Sequence, residues 1–572
     1  MPLSRDQYYR SVRERTPLLR RITEIAEEPT AVIRGSISSA IEGLRHDEEA
    51  PISKTRGGFI IGSIGLLIFL QATNISILTT TQSAIAADLD AFDRVTWLTS
   101  SYLIAMSSLA PLMGRLSQIF SPRLCMFFST VLIAVGTLIV ATSNTFEMFI
   151  IGRVISGAGA SGIFIVASII TIQMTSPERR GLFIGLGNTG MTAGVSLGAV
   201  IAGALESKIG WKPLFGAQSP LCFLAGMGLL LAIPENYTSK GNSYVQLSLR
   251  QKLARIDYSG ALLLIGTIVL FLLGLSGPKI LPQPLILSAL ALPLFVLNEA
   301  YIAKDPVIPV TVMKSRGTLL TCLATVGSMM ARWAVLFYTP VFALAVRSWA
   351  PAAAGSILIP TNTGFAAGGI LAGVFHIKRE GSFYAHGVIS MALWPLTMVA
   401  IALISTPTSS MALYMLLVFL NGLVTGAALN YTLVHLLHLT LPELHPITIS
   451  LLATFRGFAG SFGSAIGGGL FGRVLHRSLV DGFEDAGLKH RGELVRKLQG
   501  SPALVGQLEG VEKTIAVGAY QDAIKALFYA ATGLAIVVTL VQACTGWNSP
   551  VPKTELDPEE TIAGEEGIVG GS

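Results

Sequence analysis

Gly152-Arg153-Val154-Ile155-Ser156-Gly157-Ala158-Gly159-Ala160 sets an arginine inside an apolar run covering residues 147–171. A charge at the centre of a membrane helix costs about 2.5–3.5 kcal/mol on the insertion scale, so it needs a partner or a wet cavity. The glycines allow a second helix to approach closely. The stretch therefore reads as a membrane helix packed inside a bundle, with Arg153 turned inward. Two roles for Arg153 stand side by side: a structural tie between helices, or part of a substrate or proton path.

Outward from this run, the same pattern repeats along the chain. Apolar runs of spanning length predict helices over 58–82, 96–117, 123–142, 147–171, 182–205, 213–233, 257–276, 284–303, 317–343, 353–375, 384–405, 411–436, 447–472 and 524–545, fourteen in all. About 20 residues cross the hydrocarbon core. Composition agrees: 51% of the 572 residues are hydrophobic and 13% charged, against about 25% charged in soluble domains. Mean hydropathy is +0.63.

With both termini cytosolic, the even-numbered loops face inward and hold basic groups such as Arg115 with Arg123, Arg179 with Arg180, and Lys378 with Arg379. The short outward loops hold fewer, among them Arg94 and Arg347. This is the positive-inside asymmetry. A net charge of +6 thus reports orientation and anionic lipid, and no nucleic-acid partner is expected. The long outward loop 473–523 alternates charged and apolar residues and predicts short surface helices.

Residues 1–56 carry ten Lys and Arg and read as a cytosolic tail with no cleavable signal; 548–572 read as an acidic, disordered cytosolic tail. Between them the expected domains are a first six-helix bundle (57–233), a linker with helices 7 and 8 (234–303), and a second bundle (304–547). Cys125, Cys222, Cys322 and Cys544 lack metal-ligand spacing and read as core thiols. No metal or cofactor is expected. The sequons at Asn74, Asn236 and Asn430 fall in membrane helices or a cytosolic loop and should stay unmodified.

Several motifs resemble the major facilitator superfamily, specifically its fourteen-helix drug:proton antiporter branch, which includes fungal vacuolar transporters of basic amino acids. Gly152, Arg153, Gly157 and Gly159 are similar to its helix 4 signature, and Asp93 to Leu103 to its helix 2 opening. Gly114-Arg115-Leu116-Ser117-Gln118 with Arg123 resembles the helix 2–3 loop, where Gln118 stands for the usual acid and Ser121 for a glycine. Gly190, Gly194, Gly198 and Gly203 resemble the helix 5 antiporter signature, with Ala199 in place of its proline; helix packing and a role in transport direction are both open. Trp211 to Phe215, Phe337 to Pro340, Gly355 to Pro360 and Thr454 to Gly457 follow the later elements. The resemblance implies an all-α major facilitator fold: two six-helix halves plus two extra central helices.

It further implies a secondary transporter, monomeric, working by alternating access on a small-molecule substrate, with a proton gradient as energy source. Amino acids across the vacuolar or lysosomal membrane are the first expectation. A multidrug or toxin exporter of the plasma membrane, and a non-transporting nutrient receptor, are the alternatives. Enzyme motifs are absent from plausible contexts. The expected pathway residues are Asn74, Gln82, Tyr102, Arg153, Asn188, Arg332, Asn362, Asn430 and Arg456. Asn74 stands where the branch has an acid, so it cannot titrate. Glu147, Asp93 and His435 are the remaining proton candidates, each with a plain structural reading beside it. Bases and amides without a central acid suit an anionic or zwitterionic group better than a cation. Glu14-Arg15-Thr16-Pro17-Leu18-Leu19 matches an acidic dileucine pattern and implies a sorting adaptor at the N-terminal tail.

Overall fold

A computed structural model describes residues 53–174, 177–234, 247–276, 279–303, 306–308, 315–376, 383–440, 445–488 and 490–546. Residues 60–572 form one of two units; the other, residues 1–59, contributes the start of the first helix. Glu14, Leu18, Leu19, the tail 548–572 and Asn236 lie outside the described residues.

The long helices are α1 (Lys54–Asp88), α2 (Val95–Ile119), α3 (Pro122–Thr142), α4 (Phe146–Met174) and α5 (Pro177–Ile209). Next come α6 (Lys212–Gly216 with Gln218–Ala232), α7 (Tyr258–Ser276) and α8 (Pro282–Leu297, ending in a π turn, Asn298–Ile302). The second half holds α9 (Arg316–Ala345), α10 (Pro351–Ser356 with Leu358–Leu371 and a π turn, Ala372–His376), α11 (Tyr384–Ile404), α12 (Met411–His438), α13 (His445–Asp485) and α14 (Gly510–Ala543). No strand occurs among the described residues. The end carrying the α2–α3 turn is called here the turn end, and the opposite one the far end.

Eleven helices among the described residues are long and apolar enough to cross a membrane. Their outward faces carry large apolar side chains, such as Phe128, Leu224, Leu262 and Leu396, as lipid contact requires. The expected spans at α2, α10 and α13 fall outside the eleven. Each lines the cavity described below and exchanges apolar residues for polar or small ones: Ser107 and Ser108, Thr361 and Asn362, Arg456 and Gly457.

Two boundaries differ from expectation. The loop 473–523 is largely helix, because α13 runs on to Asp485 and α14 starts at Gly510. Hydropathy falls once these helices leave the apolar layer, yet Leu475, Leu479 and Phe483 continue a buried stripe at four-residue spacing. Between them lie a short helix, Gly492–Gly500, and a 3-10 turn, Pro502–Gln507. Cys544 is exposed rather than a core thiol, since it sits just past the end of α14; the other three are buried, and all four are free.

The glycines of the motifs place helices against one another. A Cβ on Gly157 would lie 2.4 Å from Tyr102 O on α2, and one on Gly159 would lie 2.5 Å from Ser129 O on α3. Gly152 meets Val140 of α3. On α5, Gly194 and Gly198 seat α1, and Gly203 seats the start of α10, 2.6 Å from Ala352 N. Gly114 has ordinary clearance from Ile165 of α4, 3.5 Å.

Candidate functional site

Two arginine-centred groups organise the interior. The first lies in the first half. Arg153 is fully buried. Its Nη1 donates to Asn74 Oδ1 at 2.6 Å and its Nε to Leu98 O at 3.2 Å. Asn74 Nδ2 donates to Gln218 Oε1 at 3.1 Å, and Gln218 Nε2 to Leu214 O at 3.0 Å. The guanidinium lies 4.4 Å from the centre of the Tyr102 ring. One side chain thus ties α4 to α1, α2 and α6. Nη2 has no hydrogen-bond partner, and no carboxylate faces this buried cation among its described partners.

The second group belongs to a cavity between the two halves. Arg332 Nη2 donates to Asn362 Oδ1 at 2.9 Å, and its Nη1 reaches Thr425 Oγ1 at 3.4 Å. Asn362 Nδ2 donates across the halves to Ser196 Oγ at 2.9 Å. The Arg332 guanidinium stacks on Phe365 at 3.9 Å, and Arg456 faces the Phe164 ring at 5.5 Å. Such cation–π contacts hold a guanidinium while leaving N–H groups to donate. Arg332 and Arg456 are near enough to repel one another electrostatically.

The cavity has about 1020 Å³ of space, counting that open at its mouth. Its walls are mostly aliphatic and aromatic: Ile68, Met106, Phe164, Met191, Trp333 and Phe365 represent six of the lining helices. Gln71, Ser161, Thr192, Asn362, Arg332 and Arg456 supply its polar groups, and no carboxylate lines it. Closely packed pairs close the bundle on the far side: Ser100 with Ser464 at 3.1 Å, Ala199 with Gly355, and Gly203 with Ala352.

Of the expected pathway residues, Arg332, Asn362 and Arg456 line this cavity; Asn74, Tyr102 and Arg153 form the separate knot. Gln82 lies toward the far end, accepting from Thr99 Oγ1 at 3.5 Å. Asn430 Nδ2 donates to Gly426 O on its own helix. The Asn188 side chain lies outside the described residues. In the helix 2–3 loop, Gln118 Oε1 accepts from Arg115 Nη1 at 2.7 Å, and Arg123 Nε caps α6 at Leu230 O, 2.7 Å. The acids considered for proton transfer are exposed: Glu147 pairs with Arg94 at 3.7 Å, and Asp93 with Arg496 at 3.0 Å. Its hydrogen bonds to the Asp93 and Asp90 carboxylates hold the Arg496 guanidinium above its ordinary pKa. Glu299 is the buried carboxylate among the described residues; it accepts from Val307 N and Ile308 N at the turn end. Gln71 was not anticipated. It lies on the same α1 face as Asn74 and Ile75, a spacing the sequence does contain.

A helical bundle with a cavity between two halves is the architecture of membrane carriers. The family model for the Major Facilitator Superfamily matches residues 64–464, and the chain belongs to that family of transporters. Among its relatives are MFS transporter L2 of a Phoma species, 26% identical over 83% of this chain and 80% of that protein, and the MFS-type efflux pump LUC4 of a Fusarium species, 27% identical over 75% and 76%. Multidrug resistance protein fnx1 of Schizosaccharomyces pombe is 23% identical over 87% of this chain and 92% of that protein. The fold is similar to a crystal structure of a bacterial homolog of the human lysosomal transporter Spinster, inward-facing and occupied: TM-score 0.59, 13% identity, 86% of this chain and 97% of that chain.

Proposed function

We propose that this protein is an exporter of amphipathic organic molecules that carry an anionic or strongly hydrogen-bond-accepting group. The observation that carries this reading is the central cavity. Two guanidiniums sit in an apolar, aromatic wall with no lining carboxylate. Such a wall favours flat apolar bodies, and the paired cations favour a carboxylate, sulfonate or phenolate on them. The names efflux pump and multidrug resistance protein among the relatives support export. A basic amino acid would bring two cations and one carboxylate, a net positive charge, to a cavity that already holds two cations, which weighs against that expectation.

In this reading fourteen helices span the membrane, with halves 57–233 and 304–547 on either side of 234–303. The turn end is cytosolic by the positive-inside asymmetry, so the closure at the far end corresponds to an inward-facing state. The plasma membrane is the favoured address. Blocking adaptor sorting with Leu18→Ala and Leu19→Ala then leaves a fluorescent fusion where it was; loss of a vacuolar signal would favour the vacuole instead.

Reconstituted vesicles test the substrate class. Radiolabelled naphthalene-2-sulfonate should move saturably, while N-methylquinolinium, a cation of similar size, should not. Arg456→Gln should slow the anion by about tenfold, the loss of one charge-assisted contact. Preferred movement of the cation would overturn the assignment.

A further inference from the structure

The second half contains a polar seam that starts at Arg332 on the cavity wall and runs on beyond the cavity. On α9, Thr318, Thr321, Thr325, Ser328 and Arg332 recur at three- and four-residue steps, and all are buried. On α12, Asn421, Thr425, Thr432 and His435 share one face at steps of four, seven and three residues, and all are buried. The helices run antiparallel: Arg332 meets Thr425 at one level, and Gly317 meets Leu439 near the turn end.

Between them and α11 lies a small cavity with room for about one water molecule. Trp394 Nε1 and Thr432 Oγ1 belong to residues that line it; each residue is about 1% exposed, and neither atom has a hydrogen-bond partner. Thr318 Oγ1, Thr321 Oγ1 and Gln542 Oε1, toward the turn end, are also unpartnered. Leaving each such group dry costs roughly 1–3 kcal/mol. Water satisfies an indole donor and a hydroxyl together.

The seam ends on His435. Its Nε2 lies 3.2 Å from Thr545 Oγ1, which donates in turn to Gln542 O at 2.7 Å. Tyr384 of α11 faces the imidazole at 5.4 Å between ring centres. His438 is its basic neighbour along α12, the Gly546 backbone also bonds to it, and no carboxylate acts on it among the described residues. Arg332, at the other end, stays charged throughout the neutral range. Glu299 is held by two backbone amides on the linker pair, outside this seam.

We infer that the seam is a hydrated proton site of the second half, and that His435 is the group whose protonation couples transport to a pH gradient. Seam water delivers the proton: an O–H bond of a hydronium breaks as an N–H bond forms on the imidazole. Release to water at the turn end, past Thr545, reverses the step. Proton and organic anion then bind at different places, so an anion with no proton of its own can still be driven. This rests on the carrier reading above.

Naphthalene-2-sulfonate is permanently ionised, so its pH response belongs to the protein. The quantity read is the ratio of its initial rate under a pH gradient to its rate at equal pH. Wild-type protein should give several-fold; His435→Gln should fall to about one, and Thr432→Val, which dries the seam without touching the imidazole, should fall partway. A wild-type ratio of one, or an unchanged ratio in His435→Gln, overturns the inference. A second readout needs no substrate. On a jump from about pH 8 to 5, wild-type protein in detergent should take up more protons than His435→Gln, by up to about one per chain, counted with a pH dye. Equal uptake overturns the inference even if the sulfonate is not carried, an outcome that by itself would count against the carrier reading alone.

Discussion

Arg153 is held by the Asn74 carbonyl oxygen, the Leu98 carbonyl and the Tyr102 ring, with its charge unanswered by any acid among those partners. The side chain therefore acts as a clamp on four helices, and its neighbours decide its energy. Asn74→Ala removes the side-chain acceptor from a buried cation, which should cost about 3 kcal/mol. Asn74→Asp places a carboxylate where a 2.6 Å contact already exists and should melt above Asn74→Ala, near or above wild type. Fluorescence-detected size-exclusion melting in detergent measures both. If Asn74→Ala melts like wild type while anion transport falls, the knot serves transport rather than stability. The sequence made Arg153, Asn74 and Tyr102 legible as polar residues in apolar helices. It could not separate them from Arg332 and Arg456, because the choice between knot and cavity depends on the rotation of each helix.

At the scale of elements, α10 and α12 pack backbone against backbone. Cβ atoms on Gly364 and Gly368 would lie 2.1 Å and 1.9 Å from Phe419 O and Leu423 O; those on Gly422 and Gly426 would lie 2.0 Å and 2.1 Å from Thr361 O and Phe365 O. Backbone has no give here. Gly368→Ala must part the helices and should cost about 3 kcal/mol or more, with loss of monodisperse protein. Gly266→Ala on α7, where nothing lies within 4 Å, should be neutral or stabilise by about 1 kcal/mol through helix propensity. Equal behaviour of the two variants would refute this packing. The two glycine pairs repeat at four-residue spacing, so this contact was legible, yet no arginine drew attention to it. The extension of α13 was less legible. Hydropathy registers lipid, whereas Leu475, Leu479 and Phe483 pack on protein outside the apolar layer, and only their helical spacing marks them.

For the whole molecule, the far end is shut by a strap as well as by packed helices. The helix Gly492–Gly500 is anchored to the second half by Val495 and Leu498 in its core, and by Tyr520 Oη donating to Leu498 O. It reaches the first half through Arg496, which pairs with Asp90 at 2.9 Å and Asp93 at 3.0 Å. Gly500 closes directly against Phe92, where a Cβ would lie 2.8 Å from the ring. Alternating access requires these contacts to part when the far end opens. Exposed ion pairs are individually weak, so the strap biases the balance and does not lock it. Arg496→Glu turns two attractions into repulsions and should shift the population a few-fold toward the far-open state. A cysteine at Ser196, buried between the halves against Leu358 O, reports this through its rate of reaction with an impermeant maleimide. The rate should rise a few-fold with Arg496→Glu, and more modestly for Arg496 itself in about 1 M salt, where screening shortens to about 3 Å. Combining Arg496→Glu with Asp90→Lys and Asp93→Lys should restore the slow rate. A rate indifferent to charge and salt would mean that helix packing alone, through Gly203 and Gly355, sets the closure.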